Sequence, residues 1–192
     1  DACPYFVGRY IKGVTNGESP AWLKEKLLAI GLRPRTALVD ITNLLTFDLN
    51  RPLHVFDANK VKGDIRVRLA KPGEKLAALN GKEYELDAEM TAITDDAGPE
   101  GLGGVIGGEV SGCDETTTDV FVESAYFDPT RTAMTGRKLN LQTDARYRFE
   151  RGIDPAFLEN GMEIATRLIL DLCGGEPSEL VVAGGNPDKG RS

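Results

Sequence analysis

Histidine and cysteine are scarce in this chain of 192 residues. His54 is the only histidine, so a zinc site built from several histidines cannot form within the chain. The three cysteines, Cys3, Cys113 and Cys173, are odd in number and too far apart for metal-ligand spacing or for the paired framework of a secreted protein. A serine–histidine–aspartate triad would have to use His54, and no G-x-S-x-G elbow accompanies it. The sequence therefore predicts metal-free chemistry in a cytoplasmic protein.

Positive charge is also in short supply, with 23 Lys and Arg against 30 Asp and Glu and a formal net charge of −7. Proteins that hold nucleic acid mainly through its phosphates present a basic face, so this balance argues against tight, autonomous RNA binding. One basic-rich stretch stands out: Arg131, Arg137, Lys138, Arg146, Arg148 and Arg151. We interpret it as a solvated helix face with ion pairs; the alternative is a local contact with a flexible RNA end.

Long hydrophobic runs are absent, since none approaches the roughly 18–20 apolar residues of a membrane-spanning helix. No signal-peptide pattern is present either. Hydrophobic residues make up 41% and charged residues 28% of the chain, which is typical of a globular domain. The chain begins at Asp1 rather than Met, and no change in composition marks a linker. We therefore expect residues 1–192 to form a single domain that is a fragment of a longer protein.

Local patterns predict strands in the middle of the chain and helices towards its ends. The strands are predicted at 5–14, 65–69, 75–79, 82–86, 90–94, 104–108, 119–127 and 179–183. The helices are predicted at 20–30, 39–49 and 128–139, with a short one after 143 and a long one at 154–172. Ser19 is predicted to cap the first helix, and Asn80 with Gly81 to form a two-residue hairpin turn. Grouped strands with flanking helices predict an α+β fold.

Four segments carry a family resemblance: 51–57 (RPLHVFD), 103–108 (GGVIGG), 121–129 (FVESAYFDP) and 141–155 (LQTDARYRFERGIDP). In this order they resemble the B3/B4 domain of the bacterial phenylalanyl-tRNA synthetase beta subunit, and the resemblance runs from about residue 3 to about residue 185. It implies a three-layer β/β/α arrangement with a mostly antiparallel or mixed central sheet and flanking helices. It also implies an editing site that hydrolyses tyrosine mistakenly attached to the phenylalanine tRNA.

Glu123 is a carboxylate inside an apolar strand, where it needs a partner because a desolvated charge is costly. From the residues alone, an ion pair with an arginine such as Arg33 is one explanation. The resemblance implies another: Glu123 recognises the tyrosine hydroxyl. A site that hydrogen-bonds a substrate hydroxyl can reject the analogue that lacks it by roughly 10⁴–10⁵, so such a carboxylate would separate tyrosine from phenylalanine.

His54 lies between Leu53 and Val55, a setting in which a lone histidine is usually a packing residue. The resemblance instead implies a catalytic role in positioning or polarising water or the ester. It further implies backbone access at one glycine, two residues that shape the pocket and two polar residues near it: Gly107, Thr143, Ala145, Arg33 and Asn43. From pattern alone, the glycines of 103–108 indicate a tight turn or a close backbone approach. Arg51 stands where the family more often has glutamine.

The predicted function is hydrolysis of tyrosyl-tRNA(Phe) by an editing domain, with no metal or cofactor in the domain itself. The implied partners are the acceptor end of tRNA(Phe), tyrosine and the synthetase alpha subunit, in an enzyme of two alpha and two beta subunits that uses ATP and Mg²⁺ elsewhere. No membrane partner is implied. Two alternatives stay open: a non-catalytic structural or RNA-docking module, and a freestanding deacylase that edits in trans.

Overall fold

The computed structural model describes residues 2–189, and within them it contains eleven strands and five α-helices. The strands are β1 (Tyr5–Lys12), β2 (His54–Asp57), β3 (Arg66–Leu69), β4 (Lys75–Ala77), β5 (Glu83–Glu85), β6 (Thr91–Thr94), β7 (Pro99–Leu102), β8 (Ile106–Gly107), β9 (Asp119–Tyr126), β10 (Glu176–Pro177) and β11 (Val181–Gly184). The helices are α1 (Ala21–Ala29), α2 (Ala37–Asp48), α3 (Pro129–Lys138), α4 (Asp144–Phe149) and α5 (Leu158–Cys173), the last preceded by a 3₁₀ turn at Pro155–Phe157. None of these helices is long and apolar enough to cross a membrane.

The central layer is a five-stranded antiparallel sheet built around β1 and β9. β9 pairs with β1 along its whole length on one side and with β2 on the other. The far edge of β1 pairs with β10 and β11. Successive residues of β9, such as Phe121 and Val122, point to opposite faces of the sheet. Both are buried, so the sheet is covered on both sides.

The helical layer covers one face of this sheet, with α5 in contact with both β1 and β9 and α2 packed against α5. α5 is amphipathic, and its buried residues recur at three- and four-residue spacing: Leu158, Gly161, Met162, Ala165, Thr166, Ile169 and Cys173. A buried hydrogen bond from the Ser124 hydroxyl of β9 to the Leu158 carbonyl, 3.0 Å long, fixes the start of α5 over the sheet.

The third layer is a four-stranded sheet in the order β3–β6–β7–β8. Gly107 of β8 lies against His54, which is on the face of the central sheet opposite the one from which Ser124 contacts α5, so this sheet covers the face opposite the helices. The β4–β5 hairpin adds a second, smaller apolar cluster around Leu76 and Leu86. The predicted α+β class and its three layers are thus confirmed.

Two local predictions are wrong. In both, a hydrogen-bonding group that the local prediction assigned to a nearby partner is bonded to a residue distant in the sequence. Ser19 does not cap α1, which has no side-chain cap; its hydroxyl donates to Asp40 of α2 at 2.5 Å. The hairpin turn has three residues between the closing pair, Ala78 and Lys82, rather than two. The Leu79 N–H inside that turn donates to the Gly107 carbonyl of β8, which draws the turn towards the second sheet.

Candidate functional site

Glu123 and His54 lie directly opposite each other on neighbouring antiparallel strands, β9 and β2. Directly opposed residues point to the same face of a sheet with Cβ atoms about 4.5–5.5 Å apart. On the other side of β9, Glu123 is opposite Gly8 of β1. A side chain at Gly8 would overlap the ring of Phe121, so the glycine leaves room for the aromatic residue beside the carboxylate. The two candidate site residues are therefore neighbours across the ladder.

The Glu123 carboxyl group is buried, with 5% of the residue exposed. Its Oε2 atom has no hydrogen-bond partner among the residues that the structure describes. Burial raises the pKa of Glu123 to about 8, against the opposing effect of the positive charge of Arg51. Because desolvation without a bonded partner disfavours the charged form, this acceptor gains from any donor that enters the site.

His54 is partly exposed as a residue, but its Nε2 atom is buried and has no partner within the described chain. Burial lowers the pKa of His54 to about 4, so the imidazole is neutral at physiological pH. The ring packs edge-on against Phe56, with centroids 4.3 Å apart. A neutral imidazole with one free nitrogen can accept or donate a hydrogen bond without carrying charge.

Gly107 lies against the His54 ring, and a Cβ atom at this position would overlap that ring. The same Cβ atom would lie 3.0 Å from Leu79 Cδ1, so the exposed Leu79 borders this glycine as well. The absence of a side chain at Gly107 is therefore what allows β8 to approach His54. The sequence-based expectation of a close backbone approach describes this geometry.

Thr143 and Ala145 lie at the start of α4. The Thr143 hydroxyl accepts a hydrogen bond from the Arg146 N–H at 3.1 Å and so caps the helix. It also donates to the Val105 carbonyl at 2.6 Å, which ties α4 to the glycine-rich segment 103–108. Ala145 is partly buried and packs against the main apolar cluster. Thr143 thus adjoins the segment that leads to Gly107.

Arg33 and Asn43 are less closely linked to this arrangement. Arg33 is exposed in the connection between α1 and α2, and Asn43 is partly buried on α2. Within residues 2–189, no hydrogen bond or ion pair joins either of them to His54 or Glu123. The explanation of Glu123 by an ion pair with Arg33 therefore does not describe the structure.

Arg51 is the charged neighbour of Glu123, and sequence reasoning noticed it only as a departure from the family pattern. The residue is 1% exposed, and Nη2 donates to the Ala125 carbonyl at 2.7 Å. Its guanidinium carbon lies 5.5 Å from the centre of the Phe149 ring. One feature of the sequence could have indicated this role: Arg51 lies three residues before His54, in the same motif and next to a proline, where an arginine in solvent has no evident function.

The basic-rich stretch agrees with the interpretation as ion-paired helix faces. Lys138 pairs with Asp87 at 2.5 Å, and Arg146 pairs with Glu150 at 2.9 Å. Arg151 reaches the same Glu150 at 3.1 Å. Three of the six cations of this stretch are therefore paired with carboxylates of the chain itself.

Neither of two clefts on the surface of residues 2–189 is lined by His54 or Glu123. The larger, about 580 Å³, lies between α3 and the segment 87–90, away from the predicted site. The smaller, about 200 Å³, reaches Arg51 from the side of Asp154 and Phe157. Residues 2–189 contain no group of three or more His, Cys, Asp or Glu side chains placed to hold a metal ion. The chemistry that the site offers is hydrogen bonding by a buried carboxyl group and a neutral imidazole.

Comparisons with known proteins agree on one family. Residues 2–174 match the family model described as the B3/4 domain. The chain is 67% identical to the phenylalanine–tRNA ligase beta subunit of Paramagnetospirillum magneticum, over 98% of this chain and 24% of that protein. It is 62% identical to the corresponding subunit of Mesorhizobium japonicum, over 96% of this chain and 23% of that protein. The chain thus spans about a quarter of the length of these relatives.

One solved structure is similar in fold: an N-terminal fragment of the phenylalanyl-tRNA synthetase beta subunit from Pyrococcus horikoshii. The TM-score is 0.55 at 16% sequence identity, over 92% of this chain and 47% of that one. At this identity the likeness shows the fold alone, and it agrees with the three layers described above. Because the family model covers most of the sequence, this chain belongs to the B3/4 domain family.

Proposed function

We propose that this chain is the editing domain of a phenylalanine–tRNA ligase beta subunit and hydrolyses tyrosine from mischarged tRNA(Phe). The observation that carries the proposal is the pair of opposed side chains, Glu123 and His54, each with a buried polar atom that lacks a partner. Buried polar groups without partners are rare in structural cores because each costs about 1–3 kcal/mol. Two of them side by side favour a ligand-binding role over packing.

Glu123 supplies the discrimination between the two amino acids. Tyrosine brings a phenolic donor that Oε2 can accept, which offsets the cost of burying the carboxyl group. Phenylalanine has the same ring without the donor and leaves the carboxyl group buried and unpaired. The penalty falls only on the correct amino acid, so an editing site with this residue spares correctly charged tRNA.

His54 positions water or the ester carbonyl rather than acting as a strong base. A general base works best when its pKa is near the working pH, whereas burial holds the pKa of His54 near 4. An aminoacyl ester is already activated, so an oriented water and a donor to the developing oxyanion suffice for hydrolysis. Gly107 gives the substrate access to the backbone beside the ring, and Thr143 with Ala145 shapes the neighbouring wall.

Arg33 and Asn43 remain proposed as polar residues near the entrance. The partners are the acceptor end of tRNA(Phe), tyrosine, and the alpha subunit of a cytoplasmic synthetase whose ATP-dependent step takes place in other domains. The similar proteins described above are phenylalanine–tRNA ligase beta subunits, which supports this assignment. A freestanding deacylase is less favoured because the relatives are about four times as long as the matched region.

The test is deacylation of tyrosyl-tRNA(Phe) by the full-length ligase that carries this domain. Glu123→Ala should reduce the ratio of tyrosyl to phenylalanyl ester hydrolysis, and His54→Ala should slow hydrolysis of both while the melting temperature changes little. Calorimetry with the 192-residue chain should show that free tyrosine binds more tightly than phenylalanine.

The non-catalytic module makes the opposite prediction. Equal affinity for the two amino acids, together with unchanged deacylation in both variants, would identify the domain as a structural or RNA-docking part of the subunit. A loss of melting temperature in proportion to the loss of activity in His54→Ala would return His54 to a packing role.

A further inference from the structure

We propose that Arg51 is a positioning residue for the specificity of this site: its buried charge keeps Glu123 able to accept the substrate hydroxyl. The inference rests on the proposed function, because it assumes that Glu123 reads that hydroxyl. It adds a residue that is outside the predicted site and to which we assign no contact with tyrosine or phenylalanine.

Arg51 lies where a charged side chain is unusual. The residue is 1% exposed and is among the largest fully buried side chains of the described chain. Burying a guanidinium costs several kcal/mol unless opposite charge and hydrogen bonds compensate. Two carbonyls accept from it, Ala125 at 2.7 Å and Pro52 at 3.2 Å, while Nη1 has no partner within the described residues. The hydrogen bonding is therefore incomplete.

The fold makes room for this side chain. Gly161 of α5 faces it, and a Cβ atom at that glycine would come within 2.8 Å of Arg51 Cγ. β2 begins opposite Glu123, so the later residues of β9 have no partner from β2. The guanidinium donates to the buried Ala125 carbonyl at this point, two residues beyond Glu123 on β9. Helix, strand and side chain are thus arranged around a cation.

Arg51 acts on Glu123 through space rather than by contact. No ion pair joins their side chains within 4.0 Å in the part of the chain that the structure describes. The positive charge nevertheless lowers the pKa of Glu123, against the larger effect of burial. A direct ion pair would occupy the carboxylate oxygens; a cation at a distance favours ionisation and leaves Oε2 free for a donor.

The other ionisable groups around Glu123 do not supply this positive charge. His54 on β2 is neutral because burial lowers its pKa. Cys3, before β1, is also held neutral, since burial and then Glu123 raise the pKa of its thiol to about 12. Burial lowers the pKa of Arg51 to about 9, and the charges of Glu123 and of Asp154, which lines the smaller cleft with Arg51, act against this and favour the charged guanidinium. Arg51 is thus the cation of this group.

A merely structural role for Arg51 would be filled by its hydrogen bond to Ala125 and its packing on Phe149. Charge and shape can be separated with two variants. Arg51→Lys keeps the charge and changes the shape, whereas Arg51→Gln keeps a donor and removes the charge. The readout is the pH profile of kcat/KM for tyrosyl-tRNA(Phe) in the full-length ligase, which reports groups that titrate in the free enzyme.

Arg51→Gln should move the midpoint of this profile upward by about one pH unit and lower the tyrosyl-over-phenylalanyl ratio at pH 7 about tenfold. Arg51→Lys should restore the midpoint. Asp154→Asn, at an exposed position that keeps its capping role, removes the carboxylate that stabilises the guanidinium and should shift the midpoint slightly upward, in the same direction as Arg51→Gln. This third variant tests the proposal even if Arg51→Gln fails to fold.

An unchanged midpoint in Arg51→Gln, or a loss in Arg51→Lys equal to that in Arg51→Gln, would overturn the inference in favour of a structural role. Glu123→Gln separates this failure from that of the proposed function. If Glu123→Gln abolishes the tyrosyl preference while Arg51→Gln shifts nothing, only the inference fails. If Glu123→Gln leaves the preference intact, the hydroxyl is not read by Glu123 and both fail.

Discussion

At the scale of single residues, Glu123 and His54 are displaced from their ordinary titration in opposite directions by the same cause. Burial raises the pKa of Glu123 from 4.5 to about 8 and lowers that of His54 from 6.5 to about 4. Both shifts favour the neutral form, because the interior does not solvate charge. Glu123 and His54 are therefore both mainly neutral at neutral pH when no ligand is bound, and stability should depend on pH in a way that identifies each group.

Between about pH 6.5 and 8, folded Glu123 holds a proton that the unfolded chain has lost, so the free energy of unfolding should fall as pH rises. The slope is at most about 1.4 kcal/mol per pH unit for one proton. Between pH 4.5 and 6.5, His54 opposes this slope because the unfolded chain holds the imidazole proton that the folded chain lacks. Urea unfolding at pH 6.5 and 8 should thus show a decline in the wild type.

Glu123→Gln should flatten that decline, since the amide does not titrate. The matched control is Glu109→Gln, which makes the same change at an exposed carboxylate and should leave the slope as it is. A wild type and a Glu123→Gln variant with parallel pH dependence would mean that Glu123 is ionised throughout this range in the folded protein.

Gly107→Ala should damage the site through shape alone. The added Cβ atom would overlap the His54 ring and press on Leu79, and overpacking of this kind costs about 1–3 kcal/mol. We expect slower deacylation and a lower melting temperature, because either His54 or β8 must move. Gly17→Ala is the control, since nothing lies within 4 Å of a Cβ atom there. Equal activity in both variants would show that His54 need not keep its position against β8.

At the scale of elements, the connection between α1 and α2 depends on one buried carboxylate. Asp40 is fully buried and accepts from the Ser19 hydroxyl at 2.5 Å and from the Arg35 N–H at 2.8 Å. Asp40→Ala would leave these two donors unsatisfied, which should lower the free energy of unfolding by about 2–4 kcal/mol. Asp48→Ala, at an exposed position of the same helix, should change it by less than about 0.5 kcal/mol. Chemical denaturation of both variants measures the difference.

Most helices and strands were predictable, because the spacing of apolar residues and the residues that cap helices can be read from short segments of the sequence. The long α5 and the strand β9 follow from apolar spacing. β7 was missed since its residues, Pro99–Leu102, include proline and glycine, and only pairing with β6 and β8 makes them a strand. Ser19 was predicted to cap α1 but bonds Asp40 of the next helix instead. A contact with a distant segment decided each case.

The candidate site was also predictable only where a short segment of the sequence carries the information. The polarity of Glu123 in an apolar strand marked it as unusual from sequence alone. Its position opposite His54 is a matter of register between segments far apart in the chain, which no local pattern specifies. Arg51 was not predicted as the neighbouring charge because its approach to Glu123 depends on room provided by Gly161 of α5. The pocket roles of Gly107, Thr143, Ala145, Arg33 and Asn43 stay predictions.

At the scale of the whole molecule, net charge should limit what this chain does by itself. At −7 it repels a polyanion at long range, and two of the basic residues of α3 and α4, Lys138 and Arg146, are paired with its own carboxylates. We expect the isolated chain to bind tyrosine weakly and to deacylate mischarged tRNA poorly. Under the proposed function, we expect other domains of the full-length ligase to hold the tRNA, with tethering raising the local concentration of its acylated end to about the millimolar range.

The measurement compares deacylation rates of the isolated chain and the full-length ligase at equal concentration and several salt concentrations. Equal rates would mean that the chain captures tRNA by itself. A steep decline of the isolated chain's rate with salt would then locate that capture in phosphate contacts.

The central strand β1 has a consequence for the order in which the chain assembles. The strands on both of its edges come late in the chain: β9 (Asp119–Tyr126) pairs with one edge, and β10 and β11 (Glu176–Pro177 and Val181–Gly184) pair with the other. Closing such long loops costs entropy before any contact repays it, so folding dominated by these pairings is slow. During synthesis, β1 leaves the ribosome with two open edges and waits for most of the chain. Until β9 has been synthesised, these edges are free to pair with other chains. We therefore expect aggregation of the nascent protein to be limited by chaperones or by rapid pairing of β1 with β9.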